Sequence, residues 1–162
     1  MTEPRRPLLT RLAICIGGIS WMPRLLPQIT AVDRFVQRAT KGRWSLLRIA
    51  GLPGLMLTVP GRRSGIPRST PVLHVPWRGG QLVAGSNFGG PTSPVWVVNV
   101  RAATTVEVTI DGVTRTAVPR ELEGTEREEA WAHMLRTWPN YAKYAERTDR
   151  LIPVFFLEPQ PD

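Results

Sequence analysis

At 162 residues, with 42% hydrophobic side chains and six tryptophans, the chain has the length of one domain and enough apolar content to fill one core. A single cysteine, Cys15, excludes an internal disulfide and a cysteine-built metal cluster within the chain, and His74 and His133 lie far apart without ligand spacing, so no metal site is expected. The net charge of +8 is lopsided, with twelve Lys/Arg against Glu3 and Asp33 in residues 1–70 and nine against eleven acids in the remainder. No helix-turn-helix or RNP pattern accompanies this positive field, so nucleic acid is not the expected partner.

Residues 1–50 read as a basic, apolar, helical N-terminal segment. The uncharged run Leu12–Pro23 lies between Arg11 and Arg24 and is too short to span a bilayer, which needs about twenty residues. No small-x-small cleavage site follows it, so a signal peptide is not expected. Trp21, Leu25 and Leu26 suit a headgroup boundary, and Val32, Phe35 and Val36 beside Arg34, Arg38, Lys41 and Arg43 form a short basic amphipathic helix. Two readings stay open: peripheral contact with an anionic membrane at the inner face of the cell membrane by a cytoplasmic protein, or an apolar cap packed on the barrel that follows.

A strand over Leu55–Pro60 leads into the loop Gly61-Arg62-Arg63-Ser64-Gly65-Ile66-Pro67-Arg68, and a second strand, Arg68–Val75, leads out of it. Three guanidinium groups and a hydroxyl beside two glycines suit an anion, because guanidinium pairs phosphate or carboxylate through parallel charge-assisted hydrogen bonds while glycine lets the backbone come close. A basic turn kept only for solubility is the competing reading. The turn Arg78-Gly79-Gly80, a third strand Gln81–Gly85 and the loop Ser86-Asn87-Phe88-Gly89-Gly90 follow, and Ser93-Pro94 opens a short helix through Trp96 and Asn99.

Asp111-Gly112 marks a hairpin between strands Val106–Ile110 and Val113–Val118. Thr125-Glu126-Arg127-Glu128 reads as a capping box opening a helix to Thr137, with Trp131, Met134, Leu135 and Trp138 on one face. Trp138, Tyr141 and Tyr144 at three-residue spacing predict an aromatic stripe on one helical face, which packing alone can explain. Ile152–Leu157 supplies a sixth strand. These elements predict an α+β domain over residues 51–162, a small barrel of about six mainly antiparallel strands with flanking helices.

The order of these pieces, from the arginine loop through the glycine pairs and Pro94-Val95-Trp96-Val97-Val98-Asn99 to Trp138-Pro139-Asn140-Tyr141 and Arg150-Leu151-Ile152-Pro153-Val154, resembles the deazaflavin-dependent nitroreductase family, including its F420H2-dependent quinone-reducing members. The resemblance covers residues 55–159. It implies a split β-barrel of the kind shared with flavin-binding pyridoxamine-oxidase-like proteins, and coenzyme F420 as hydride donor to an electron-poor acceptor: a quinone, an enone or a nitro compound.

On that resemblance, Arg62, Arg63, Ser64 and Arg68 hold the anionic tail of the coenzyme, Gly65 and Pro67 shape the loop, and Leu73, Ser86, Asn87 and Trp96 border the ring. Trp138, Tyr141 and Tyr144 receive the acceptor, with Ser86, Tyr141 and Tyr144 as catalytic candidates. The chain departs from the quinone- and nitroimidazole-reducing members at Asn87, where they carry lysine, at the bulky Phe88, at Leu73, where they carry a ring-lining tyrosine, and at Trp138, where they carry the first of three tyrosines. The coenzyme grip is thus better kept than the acceptor pocket. Binding of FMN by a related barrel, and non-enzymatic carriage of an anionic flavin or tetrapyrrole, remain as alternatives.

Overall fold

The structure, a computed structural model, describes residues 52–160 and, upstream, six helical positions: Gln28, Ala31, Val32, Phe35, Val36 and Ala39. The expected apolar run Leu12–Pro23 and all of the basic residues before residue 51 lie outside the described residues. Val32, Phe35 and Val36 are helical as the spacing predicts.

Six strands close into one antiparallel barrel: β1 (Gly54–Pro60), β2 (Pro67–Trp77), β3 (Gly80–Ala84), β4 (Val106–Ile110), β5 (Val113–Glu121) and β6 (Val154–Pro159), in the order β1-β2-β3-β6-β5-β4. Alternation does the work in β1, where Leu55, Leu57 and Val59 point inward and Met56 and Thr58 outward. β1 pairs with β2 from Gly54 opposite Leu73 to Pro60 opposite Pro67, so the arginine loop hangs from the tight end of this hairpin. β5 runs three residues past the expected Val118 to pair Arg120 and Glu121 with Phe156 and Phe155 of β6.

β6 reads as an unbroken apolar run, Val154-Phe155-Phe156-Leu157, because it is covered on both sides. Phe155 and Leu157 fill the barrel with Leu57, Val59, Val83, Val106 and Val108. Val154 and Phe156 face outward, with Val75 and Leu82, into a second core closed by helices. Trp77 meets Phe156 edge-on at 5.6 Å and carries Arg78 over its own ring.

The helices are α1 (Val95–Ala102), α2 (Gly124–Thr137) and α3 (Asn140–Glu146). α1 plugs the barrel interior with Trp96, Val97 and Val100. α2 does not use the predicted capping box: it opens at Gly124 after Glu123, with no side-chain cap. Glu126 instead takes both Arg120 (2.5 and 2.9 Å) and Arg78 (3.4 Å), so the carboxylate a box would turn onto the backbone is held by neighbouring strands. These cations hold its carboxyl below the usual range.

The aromatic stripe also needs correction. Trp138 ends α2 with extended backbone (φ −131°, ψ 86°), and Pro139 separates it from α3. A residue before proline is pushed out of the helical region, so Trp138 and the two tyrosines belong to different elements. All three nonetheless converge in the outer core.

Candidate functional site

The loop after β1 is tied at its base: Gly61 N–H donates to Ile66 O at 2.9 Å and Gly65 N–H to Gly61 O at 2.7 Å. Ser64 turns its hydroxyl inward to accept from the Ile66 amide at 3.3 Å. A Cβ on Gly61 would lie 2.8 Å from Ser64 Oγ and 3.3 Å from Arg68 Nε, so the loop closes on itself only without a side chain there. Arg62, Arg63 and Arg68 are exposed, and no carboxylate among the described residues pairs with them. Three other arginines do have acids: Arg101 takes Glu121 in a two-bond fork at 2.6 and 2.7 Å, Arg120 takes Glu126, and Arg78 takes Glu126 and Glu129. Three bare guanidiniums, Arg62 and Arg63 in the tight loop and Arg68 just inside β2, are a donor set for a polyanion.

α1 fixes this loop to a second one. The buried Asn99 accepts from the Arg62 amide at 3.2 Å through Oδ1. A turn and a half earlier, roughly 9 Å along the helix axis, Ser93 precedes the first turn, and its hydroxyl accepts from Arg150 at 3.3 Å and does not cap the helix. Arg150 also reaches Gly85 O, Ser86 O and Gly90 O, so α1 spans the interval between the arginine loop and the Ser86–Gly90 loop.

That second loop is wound against the usual hand. Ser86 has helical backbone (φ −71°, ψ −36°), and then Asn87 (φ 46°), Phe88 (φ 54°) and Gly89 (φ 79°) lie consecutively in the left-handed region. For a phenylalanine this conformation costs about 1–2 kcal/mol, so its neighbours must impose it. Asn87 Nδ2 donates to Thr92 O at 2.9 Å, and Gly90 N–H closes on Asn87 O at 2.8 Å. The Phe88 ring rests on Tyr144 at 5.4 Å, and Gly89 abuts the backbone of α3. Ser86 and Asn87, expected at the ring, are half-buried, and the Ser86 hydroxyl has no partner among the described residues.

The aromatic set stands behind Phe88. Tyr141 and Tyr144 meet edge-on at 6.1 Å, Trp131 leans on Tyr141 at 5.5 Å, and Trp138 hydrogen-bonds Tyr144. An indole N–H can only donate, so the Tyr144 oxygen accepts. Tyr141 is 3% and Tyr144 2% exposed. Burial raises the pKa of both phenols, Tyr144 to about 12, so each holds its proton at neutral pH. Leu73 packs against this same core, whereas Trp96 faces the barrel interior beside Phe155 at 5.8 Å.

The structure therefore brings Arg62, Arg63, Ser64, Gly65, Pro67 and Arg68 to one end of α1, and Ser86 and Asn87 to the other, with Tyr141 and Tyr144 reached through Phe88. Sequence reasoning missed Arg150 and Phe88 as organisers of the second loop; the left-handed run is signalled only by Asn87 and the glycine pair. The histidines are spoken for. Burial keeps His74 neutral by lowering its pKa, and its Nδ1 donates to Gln81 Oε1 at 2.6 Å. His133 Nε2 donates to Pro76 O at 3.0 Å while Nδ1 accepts from Arg136 at 2.6 Å. Among the described residues no group of three His, Cys, Asp or Glu side chains could hold a metal ion, and no helix is long and apolar enough to cross a membrane.

Known proteins supply the context for this geometry. The sequence profile of the F420H(2)-dependent quinone reductase family matches residues 31–159. The F420H(2)-dependent quinone reductase Rv1261c of Mycobacterium tuberculosis is 31% identical over 144 residues, 85% of this chain and 95% of that protein. Among solved structures, an F420-H2 dependent reductase, FDR-A, superposes with a TM-score of 0.61 at 39% identity, over 65% of this chain and 94% of that one. A domain-swapped dimer superposes at 0.64 and 36% identity, over 79% and 94%. The barrel is the split β-barrel of these reductases, and the cofactor of the family, F420, has the anionic tail that three unpaired guanidiniums fit. On the family match, its coverage and the site's donor set, this chain belongs to the F420H(2)-dependent quinone reductase family and is an F420H2-dependent reductase.

Proposed function

We propose that the arginine loop holds the coenzyme tail and that the Ser86–Gly90 loop lines the coenzyme ring where the hydride acceptor meets it. The observation that carries this reading is the trio of exposed guanidiniums without a carboxylate, in a loop fastened by Asn99 to the same helix that meets the second loop. Arg62, Arg63 and Arg68 grip phosphate and glutamyl carboxylate, with Ser64, Gly65 and Pro67 setting the turn. Leu73, Ser86 and Asn87 border the ring, and Trp96, turned into the barrel beside Phe155, supports the wall behind it. When bound, reduced F420 supplies the hydride. The chain's own part is positioning: the Ser86 hydroxyl is free to donate to a carbonyl or nitro oxygen of the acceptor. Trp138, Tyr141 and Tyr144 back the acceptor pocket, with neutral phenols and Phe88 between them and the loop. Electron-poor acceptors, namely quinones, enones and nitroaromatics, suit such an aromatic wall.

Titration with oxidised F420 and then with FMN tests the assignment. Micromolar F420 binding with weak FMN binding supports it; tight FMN and no F420 binding overturns it, and binding of either without turnover favours the carrier alternative. A second reading concerns location: Val32 and Phe35, 52% and 74% exposed on a helical segment, support peripheral contact with an anionic membrane that would bring the protein to apolar quinones. Liposome flotation tests it, and binding that survives removal of residues 1–40 refutes it.

A further inference from the structure

Arg150 stands outside every motif to which the coenzyme or acceptor assigns a role, and it is the residue on which the Ser86–Gly90 loop converges. Nε donates to Gly90 O at 3.0 Å, Nη1 to Gly85 O at 3.1 Å and Ser93 Oγ at 3.3 Å, and Nη2 to Ser86 O at 2.6 Å. These acceptors lie on both flanks of the left-handed run Asn87-Phe88-Gly89. All four are neutral, so the cation is not held as half of an ion pair, and four of its five N–H groups are committed to the protein rather than offered to a ligand.

Peptide geometry gives the arrangement a direction. No peptide bond here is cis, and across a trans peptide the C=O and N–H point opposite ways. Gly85 O shares its peptide with the Ser86 amide, and Ser86 O shares its peptide with the Asn87 amide. With both carbonyls drawn onto Arg150, both amides face away from it. Neither amide has an acceptor among the described residues, in contrast to Gly89 and Gly90, whose amides close the turn on Ser86 O and Asn87 O. Only a planar fork reaches carbonyls on two sides of a turn at once; an ammonium on a single stem does not.

We propose that Arg150 is a positioning residue of the reductase site: by gripping the carbonyls of Gly85, Ser86 and Gly90 it turns the amides of Ser86 and Asn87 toward the coenzyme ring. This rests on the assignment of Ser86 and Asn87 to the ring edge made above. The arginines of the first loop act on affinity, through the tail; Arg150 acts on how the ring is held.

The test compares Arg150→Lys with Arg63→Ala in the full chain. For each, F420 is titrated to saturation while the absorption band of the bound oxidised coenzyme is recorded, and kcat and KM for F420H2 are measured with a simple naphthoquinone. Arg150→Lys is expected to lower kcat at least tenfold, change KM for F420H2 less than threefold, and return the saturated band toward that of free coenzyme. Arg63→Ala is expected to do the reverse, raising KM with band and kcat kept. A wild-type band and kcat in Arg150→Lys overturns the proposal. So does a loss of kcat with an unshifted band and a lowered melting temperature, since that is the mark of mere destabilisation. A wild-type measurement stands if the variant does not fold: F420 must slow amide hydrogen exchange at Ser86 and Asn87, and unchanged exchange there, in a protein that binds F420, overturns the proposal. If the wild type does not bind F420, the parent assignment falls and this one with it.

Discussion

Gly89→Ala and Gly112→Ala pose the same backbone problem in two different surroundings. Gly89 has φ +79° and Gly112 φ +82°, so alanine at either must adopt a left-handed conformation at a cost of about 1–2 kcal/mol. At Gly112, in the β4–β5 turn, nothing lies within 4 Å of the added Cβ, and that cost is the whole effect. At Gly89 the Cβ would lie 2.6 Å from Tyr144 O, 2.8 Å from Arg147 Cβ and 3.0 Å from Tyr144 Cα. Two of these are backbone atoms of α3 and cannot rotate aside, so the loop or the helix must move, which adds about 1–3 kcal/mol as in other overpacked sites. The expected difference of about 1–3 kcal/mol corresponds to roughly 2–12 °C in melting temperature for a domain of this size. Thermal and urea unfolding of the two variants measure it. F420 titration adds a functional readout, since displacing Gly89 also displaces Asn87 and Phe88; affinity should fall in Gly89→Ala and hold in Gly112→Ala. Equal melting temperatures for the two variants would refute the close seating of the loop on α3, and with it the mechanical link from Tyr144 to Ser86.

Replacement of Arg62, Arg63 or Arg68 by alanine should leave melting unchanged within about 0.5 kcal/mol, because no carboxylate is stranded, while raising KM for F420H2 about tenfold with a dependence on salt steeper in the wild type. Alkaline stability should fall as pH rises from about 10: Tyr144 holds its proton to about 12 when folded but loses it near 10.0 when unfolded. The two-unit gap amounts to about 3 kcal/mol. Urea unfolding at pH 9 and at pH 11.5 should show about 2 kcal/mol of this loss, and Tyr144→Phe should reduce it. On the acid side, the lowered His74 pKa means the unfolded chain takes up the proton first, so this group's stabilisation is present above its ordinary 6.5 and is lost as pH falls below it; His74→Gln should flatten that part of the profile.

The barrel was legible because its signals are local. Alternation in β1, the Asp111-Gly112 hairpin and the short apolar run of β6 each declare strand and turn within a few residues. What the sequence hid are features that depend on residues far along the chain. Glu126 matches a capping box by spacing, but Arg120 and Arg78 reach it across strands and take its carboxylate. Trp138 matches a helical stripe by spacing, but Pro139 stops the helix beneath it. Ser93-Pro94 announces a helix start, and the partner of the serine, Arg150, comes fifty-seven residues later.

The same separation explains why the two kinds of arginine in this site were unequally visible. Arg62, Arg63 and Arg68 stand together beside glycines, so the proposal that they bind an anion can be read from neighbours in sequence, and what supports it is that they have no carboxylate partner among the described residues. Arg150 stands alone in sequence between Asp149 and Leu151, and what gives it a purpose is four oxygens contributed by residues 85–93. A guanidinium in water is cheap to place and free to meet an anion; one drawn among carbonyls is desolvated, as its lowered pKa reflects, and is retained only where the hydrogen bonds it makes offset that cost. The left-handed run of Asn87, Phe88 and Gly89 is the other side of that balance. Strain of a few kcal/mol in the loop persists because the fork of Arg150, the Asn87 amide on Thr92 and the seat of Gly89 on α3 over-determine it. A loop so held can present Ser86 and Asn87 in one orientation, which a hydride transfer requires far more than it requires tight binding.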